Sequence, residues 1–175
     1  MEPKDDVIHW ILSRRSVRRY RPEEVPAETI RLLLKAAMAA PSAVGKDPWR
    51  FIVMRDEEVR TQVSEGLPNG KFLAEAPLGI AVCGDLQAAH AGMEGYLVLD
   101  CAAAIENLLL AASGLGLGAC WLGVYPRKER MDYLREVFSL PGHIVPVACI
   151  ALGYPAEEKE PRTRYREEYV HWDRW

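Results

Sequence analysis

The segment SRRSVRRYR places Arg14, Arg15, Arg18, Arg19 and Arg21 close together with no acid among them, and sets Ser16 in their midst. Guanidinium groups meet phosphate oxygens in bidentate fashion while neutralising their charge, and a hydroxyl adds one more donor. If the opening helix continued through the segment, Arg14 with Arg18 and Arg15 with Arg19 would stack on adjacent faces. The same residues also suit a solvated basic turn at a helix end, where cations favour the macrodipole. Taken alone, the cluster leaves both readings open.

A second stretch, AAMAAPSAVGKDPWRFIVM, runs from a helix through two turns into a strand. Small residues at Ala39, Ala40, Ser42, Ala43 and Gly45 would let the backbone approach a flat ligand, with Ser42 and free amides as donors; a plain tight connection is the alternative. LGLGACWLG is a poor dinucleotide fingerprint, because its glycines follow a helix instead of a strand. His9, His90, His143 and His171 are scattered and lack a neighbouring nucleophile or metal-ligand spacing, so none is assigned a catalytic or metal role.

The 175 residues are 49% hydrophobic and 27% charged, enough for one well-formed core, and a single domain over 1–175 is expected. A formal net charge of -3 gives no overall reason to bind nucleic acid or an anionic membrane, so any anion site must be local. Cys83, Cys101, Cys120 and Cys149 are widely spaced in apolar runs, which predicts buried reduced thiols and a reducing, cytoplasmic setting. The acidic start MEPKDD lacks the basic opening of a secretory signal, and Asp100, Glu106 and Asn107 interrupt the most apolar stretch, so export and membrane insertion are not expected.

Apolar periodicity predicts helices over Asp5 to Ser13, with Asp5 as a cap, and from Pro26, in the first turn, to Met38. Strands are predicted at Arg50 to Met54 and Leu78 to Cys83, with a polar helix EEVRTQVSEG and a Leu67 to Gly70 loop between them. The long helix Met93 to Ser113 is apolar on most sides and needs cover from the core, a second subunit, or both. Ala119 to Val124 reads as a strand, Arg127 to Phe138 as an amphipathic helix, and Val145 to Leu152 as a fully buried strand. The chain is therefore α+β. The final stretch has no sustained period yet carries Tyr165, Tyr169, Trp172 and Trp175, which favours an arm laid on another surface, best supplied by a partner subunit.

In this order, RRSVR, PSAVGKDPW, LGLGACWLG, VACIALGYP and PRTRYREEYVHWDRW together resemble the nitroreductase family of flavoproteins along nearly the whole chain. The resemblance implies a nitroreductase-like fold with a central, mostly antiparallel sheet flanked by helices. It further implies a homodimer with two FMN sites at its interface, and a C-terminal arm of about 153–175 exchanged between subunits. Arg14, Ser16 and Arg18 would meet the FMN phosphate and ribityl chain, with Arg15 in the same cluster and Arg162 and Arg164 from PRTR adding charge. Pro41, Ser42 and Ala43 match the segment that reaches the flavin of the other subunit. Trp121, Leu122 and Gly123 match the stretch near the ring, where a backbone amide faces the N5 region. Asn69 and Lys71 lie where relatives place polar contacts to the ring. Two departures stand out, since many relatives have PSxxNxQPW where this chain has Gly45 and Asp47. A carboxylate near the ring would disfavour reduced flavin, so Asp47→Gln is expected to raise its potential. The implied activity is ping-pong transfer from NADH or NADPH, through flavin, to a small acceptor such as a nitroaromatic or quinone. A non-catalytic FMN storage or redox-sensing protein is the alternative.

Overall fold

A computed structural model describes residues 3–175, with side chains from Val7 onward; the first helix begins at Pro3, so Asp5 lies within it and is not its cap. Four antiparallel strands form one sheet in the order β1-β2-β4-β3. They are β1 (Trp49–Met54), β2 (Leu78–Asp85), β3 (Gly118–Gly123) and β4 (Ile144–Gly153). The two central strands, β2 and β4, are buried almost throughout, which is why both read as unbroken apolar runs. Their register shifts between Val82 and Cys83, opposite the part of β4 that contains Pro146; a residue with no N–H is tolerated where the ladder is interrupted.

Helices cover both faces. On one lie α2 (Ala27–Ala37) and α5 (Glu94–Gly114), which bury Leu33, Leu97, Ile105 and Leu108 against Ile80, Val82, Ile150 and Leu152. On the other, α3 (Glu57–Glu65), α4 (Phe72–Glu75) and α6 (Lys128–Val137) pack Val63, Leu73 and Leu134 against Ala81, Cys149 and Ala151. Alternate residues of β2 thus feed alternate cores, as the pleat requires. All four cysteines are free and buried. Burial pushes the thiols of Cys83 and Cys101 up to about 12, so neither ionises near neutrality.

Every predicted helix and strand is present within a few residues; α4, a single turn of FLAE, is additional. Pro26 sits one residue before α2, as its N-cap and not within its first turn. The helical continuation through RRSVRR does not occur. The first helix, α1 (Pro3–Ser13), stops before the arginines, and residues 14–21 are extended. Tertiary pairing holds them so. Ser16 bridges Ala119 in parallel, Tyr20 bridges Pro155 in antiparallel, and Val17 N donates to Ala119 O at 3.0 Å. Gly118 permits this close approach, since a Cβ there would lie 2.7 Å from the Val17 side chain.

α5 is long and apolar enough by composition to cross a membrane, but one side of it packs into the core. Its other side leaves Met93, Tyr96 and Leu99 exposed, the last by 67%. The apolar face expected of α1 is also uncovered, with Ile8, Ile11 and Leu12 all exposed.

Candidate functional site

The extended 14–21 segment and the start of the C-terminal stretch lie side by side. Arg21 N donates to Tyr154 O and Ala156 N to Arg19 O, both at 2.9 Å, while Arg162 N reaches Leu12 O at 3.3 Å. Glu157 ties the two together, accepting from Arg18 N at 2.7 Å and lying 3.0 Å from Lys159 Nζ. The Arg18 amide is the main reason the Glu157 carboxyl titrates below its ordinary range, with Lys159 assisting against the cost of desolvation. Lys159 Nζ also donates to Ser16 O at 2.6 Å, and Arg15 donates to Glu160 O. Residues 154–162 are thus paired with residues 12–21 of the same chain.

This pairing creates a strongly basic cleft of about 530 Å³, lined by Arg14, Arg15, Ser16, Arg18, Lys159, Arg162 and Arg164. All six predicted phosphate-site residues meet here. Lys159 is the member that sequence reading missed, although it lies only three residues before Arg162. Arg19 and Arg21 are not in the cleft wall; they lie 3.7 Å from Glu157 and 3.6 Å from Glu23. Two cations of the wall have a carboxylate within reach, Arg14 with Glu106 of α5 at 3.5 Å and Lys159 with Glu157 at 3.0 Å.

Arg18 is shared with a second, smaller cleft of about 220 Å³, whose other walls include Leu67, Asn69, Phe72, Trp121, Leu122 and Arg130. Its guanidinium lies over the Phe72 ring, 5.7 Å from the centroid. Trp121, Leu122 and Gly123 thus line a space contiguous with the basic cleft. β3 is an edge strand, and the Ala119 carbonyl faces outward to Val17. The two-residue alternation of an antiparallel ladder turns the backbone of Trp121 and Gly123 to the same open side. Gly123 O is taken there by Arg130 Nη1 at 2.6 Å. Asn69 and Gly70 contribute to this wall, whereas Lys71, from the same turn, is exposed and outside it. Cys120, at the floor, has its thiol pushed up by burial, only partly offset by Arg18.

Pro41, Ser42, Ala43, Gly45 and Asp47 line neither cleft. They form an exposed loop above α5 whose backbone is left-handed at Val44, Gly45 and Asp47, with φ of 55°, 65° and 50°. Such angles cost about 1–3 kcal/mol at a non-glycine residue, so other contacts must impose them. Ser42 Oγ donates to Asp47 Oδ1 at 2.5 Å and accepts from Asp47 N at 3.0 Å. Ala43 N donates at 2.9 Å to Asp100 Oδ1, a carboxylate on α5 that is only 6% exposed. The loop is braced by Asp100 and leaves Val44 exposed to solvent.

Among the described residues, no group of three His, Cys, Asp or Glu is placed to hold a metal. The arrangement defines an α+β protein able to hold an anion in one cleft and a flat group in the next. The profile of the Nitroreductase family matches residues 11–67 and 60–154. A relative from Methanothermobacter thermautotrophicus, provisionally named NADH dehydrogenase/NAD(P)H nitroreductase, is 44% identical over 98% of this chain and 89% of its own length. A similarly named protein from Parabacteroides distasonis, solved by crystallography, superposes with a TM-score of 0.91 at 39% identity, covering 97% of this chain and 99% of its own. A nitroreductase from Desulfovibrio desulfuricans, solved in complex with FMN, has a TM-score of 0.85 at 32% identity and covers 100% and 99% of the two chains. The chain belongs to the nitroreductase family.

Proposed function

We propose that the protein is a homodimeric FMN-dependent oxidoreductase that accepts electrons from NADH or NADPH and passes them to a small acceptor such as a nitroaromatic or quinone. The observation that carries this reading is the junction at Arg18. A dianion-sized cluster of cations opens directly into a cleft walled by Phe72, Trp121 and Leu122, which suits a ligand with a phosphate at one end and a planar ring at the other. The donor set fits FMN, and the solved FMN complex of a family member supports the choice.

Arg14, Arg15, Arg18, Arg162 and Arg164, with Lys159 and the Ser16 hydroxyl, would hold the phosphate. Phe72, Trp121 and Leu122 would exclude water from one face of the ring, and the outward backbone of Trp121 and Gly123 would meet its polar edge. Bound FMN supplies hydride acceptance and electron release, so no acid or base of the protein is needed for the transfer itself. Donor and acceptor share the open face, so the spent donor leaves before the acceptor enters, giving a ping-pong order. The 41–47 loop completes the site of a second copy. The exposed faces of α1 and α5 form the dimer contact, and residues after 164 cross over it.

Absorbance of the purified protein with FMN added, followed by dialysis and anaerobic titration with NADH and NADPH, tests the reading. Retained flavin that bleaches with a nucleotide and recovers on adding acceptor is the expected result. Flavin that stays yellow indicates storage or sensing, and absence of retained flavin removes the proposal.

A further inference from the structure

The smaller cleft ends on a cation that the FMN phosphate does not employ. Arg130 stands in the first turn of α6, beside Arg127 at the N-cap and Lys128. That is an unfavourable place for three cations, because the helix macrodipole already makes it positive and Glu129 is the single acid of the turn. Lys128 is compensated by Asp132. No carboxylate lies within ion-pair distance of Arg130 among the described residues. One of its nitrogens is fixed by Gly123 O, which aims the group along the cleft wall and leaves its remaining donors available. A guanidinium without an ion-pair partner, oriented by a backbone carbonyl in the wall of the smaller cleft, is built to receive an anion.

We infer that Arg130 binds the pyrophosphate of the nicotinamide dinucleotide, and so acts as the recognition residue for the electron donor. This rests on the flavin reading. With a planar ring occupying the 220 Å³ cleft, a second planar group must stack over it from the open side. The chain leading away from a nicotinamide ring then carries its phosphates past the rim. Arg18 cannot serve both purposes, since it belongs to the basic cleft as well. A guanidinium also matches the forked geometry of phosphate oxygens better than a point charge does. The same cation could be met by a carboxylate on an acceptor, and the experiment separates the two sources.

Flavin-loaded wild type, Arg130→Gln, Arg130→Lys and Lys128→Gln are compared in two ways. Steady-state KM is measured for NADH and for N-benzyl-1,4-dihydronicotinamide, which carries no phosphate, with a neutral quinone as acceptor. Affinity for the oxidised dinucleotide, which cannot reduce flavin, is measured by calorimetry. Arg130→Gln is expected to weaken dinucleotide binding on the order of tenfold. It should shift the ratio of the NADH KM to the benzyl-donor KM by a similar factor. Arg130→Lys should recover part of this loss, and Lys128→Gln should change neither quantity. Equal effects on both donors, or none on either, would overturn the assignment. So would an unchanged ratio accompanied by selective weakening of nitrobenzoate relative to nitrobenzene, which would give the anion to the acceptor. Flavin absorbance is read on every sample: wild type that holds no flavin fails the underlying reading, whereas variants that hold flavin and treat the two donors alike fail only this one.

Discussion

The basic cleft and the 41–47 loop carry the two motifs that stand out in the sequence, and they are built in opposite ways. The cleft closes on groups from a single chain, with residues 14–18 and 159–164 brought face to face by backbone pairing and by Glu157. The loop is equally well determined, through Asp100 and the Ser42–Asp47 pair, yet it lines neither cleft of its own chain. Rigidity that serves nothing within one subunit is what a contribution to another subunit's site would look like. On the proposed dimeric reading, half of the site is finished before assembly and the other half comes from the partner.

Reversing a charge in the finished half tests it most severely. Arg162→Glu is expected to raise the FMN dissociation constant on the order of a hundredfold, read by flavin fluorescence titration with circular dichroism as a check on folding. Unaltered affinity would show that the late arginines are mere solvated neighbours. Leu99→Lys, on the uncovered face of α5, touches neither cleft. It should reduce the mass in light scattering from twice 19.7 kDa to 19.7 kDa and weaken flavin binding in parallel. A monomer with full affinity would break the contrast, because the loop would then have no part in the site.

Asp47→Gln probes the loop more gently. Removing its carboxylate should raise the midpoint potential of bound flavin by a few tens of millivolts in spectroelectrochemical titration; no shift would mean that the Ser42 contact keeps Asp47 turned from the ring. The smallest effect concerns the brace between the cleft's two walls. Glu157 titrates below its ordinary value of about 4.5, chiefly through the Arg18 amide, so its stabilisation is complete above that pH and is lost as pH falls through the lowered value. Thermal melts should show wild type more stable than Glu157→Gln near neutrality, with the difference shrinking in acid. A constant difference across pH would locate the effect elsewhere.

Much of the fold was legible because burial patterns repeat at the period of each element. The all-buried run of β4 and the amphipathic stripe of α2 announced themselves. α4 did not, since four residues make no period. Residues 14–21 misled for a different reason: local preference allowed a helix, and a distant strand edge decided otherwise. The arginines were visible by density alone. Lys159, Phe72 and Arg130 were not, because each gains its role from chain segments remote in sequence. Arg130 did leave a trace in RKER, a helix opening in which three cations outnumber the single acid Glu129.

The anchoring of residues 154–162 also sets a length. With Arg162 bonded to Leu12 and Arg164 in the cleft wall, the eleven residues 165–175 remain to reach beyond the chain, and fully extended they span at most about 40 Å. Trp172 and Trp175, both largely exposed, are therefore weights on a short tether. Whatever surface they cover must come to them, and a second copy docked more than that distance away would leave both indoles in water.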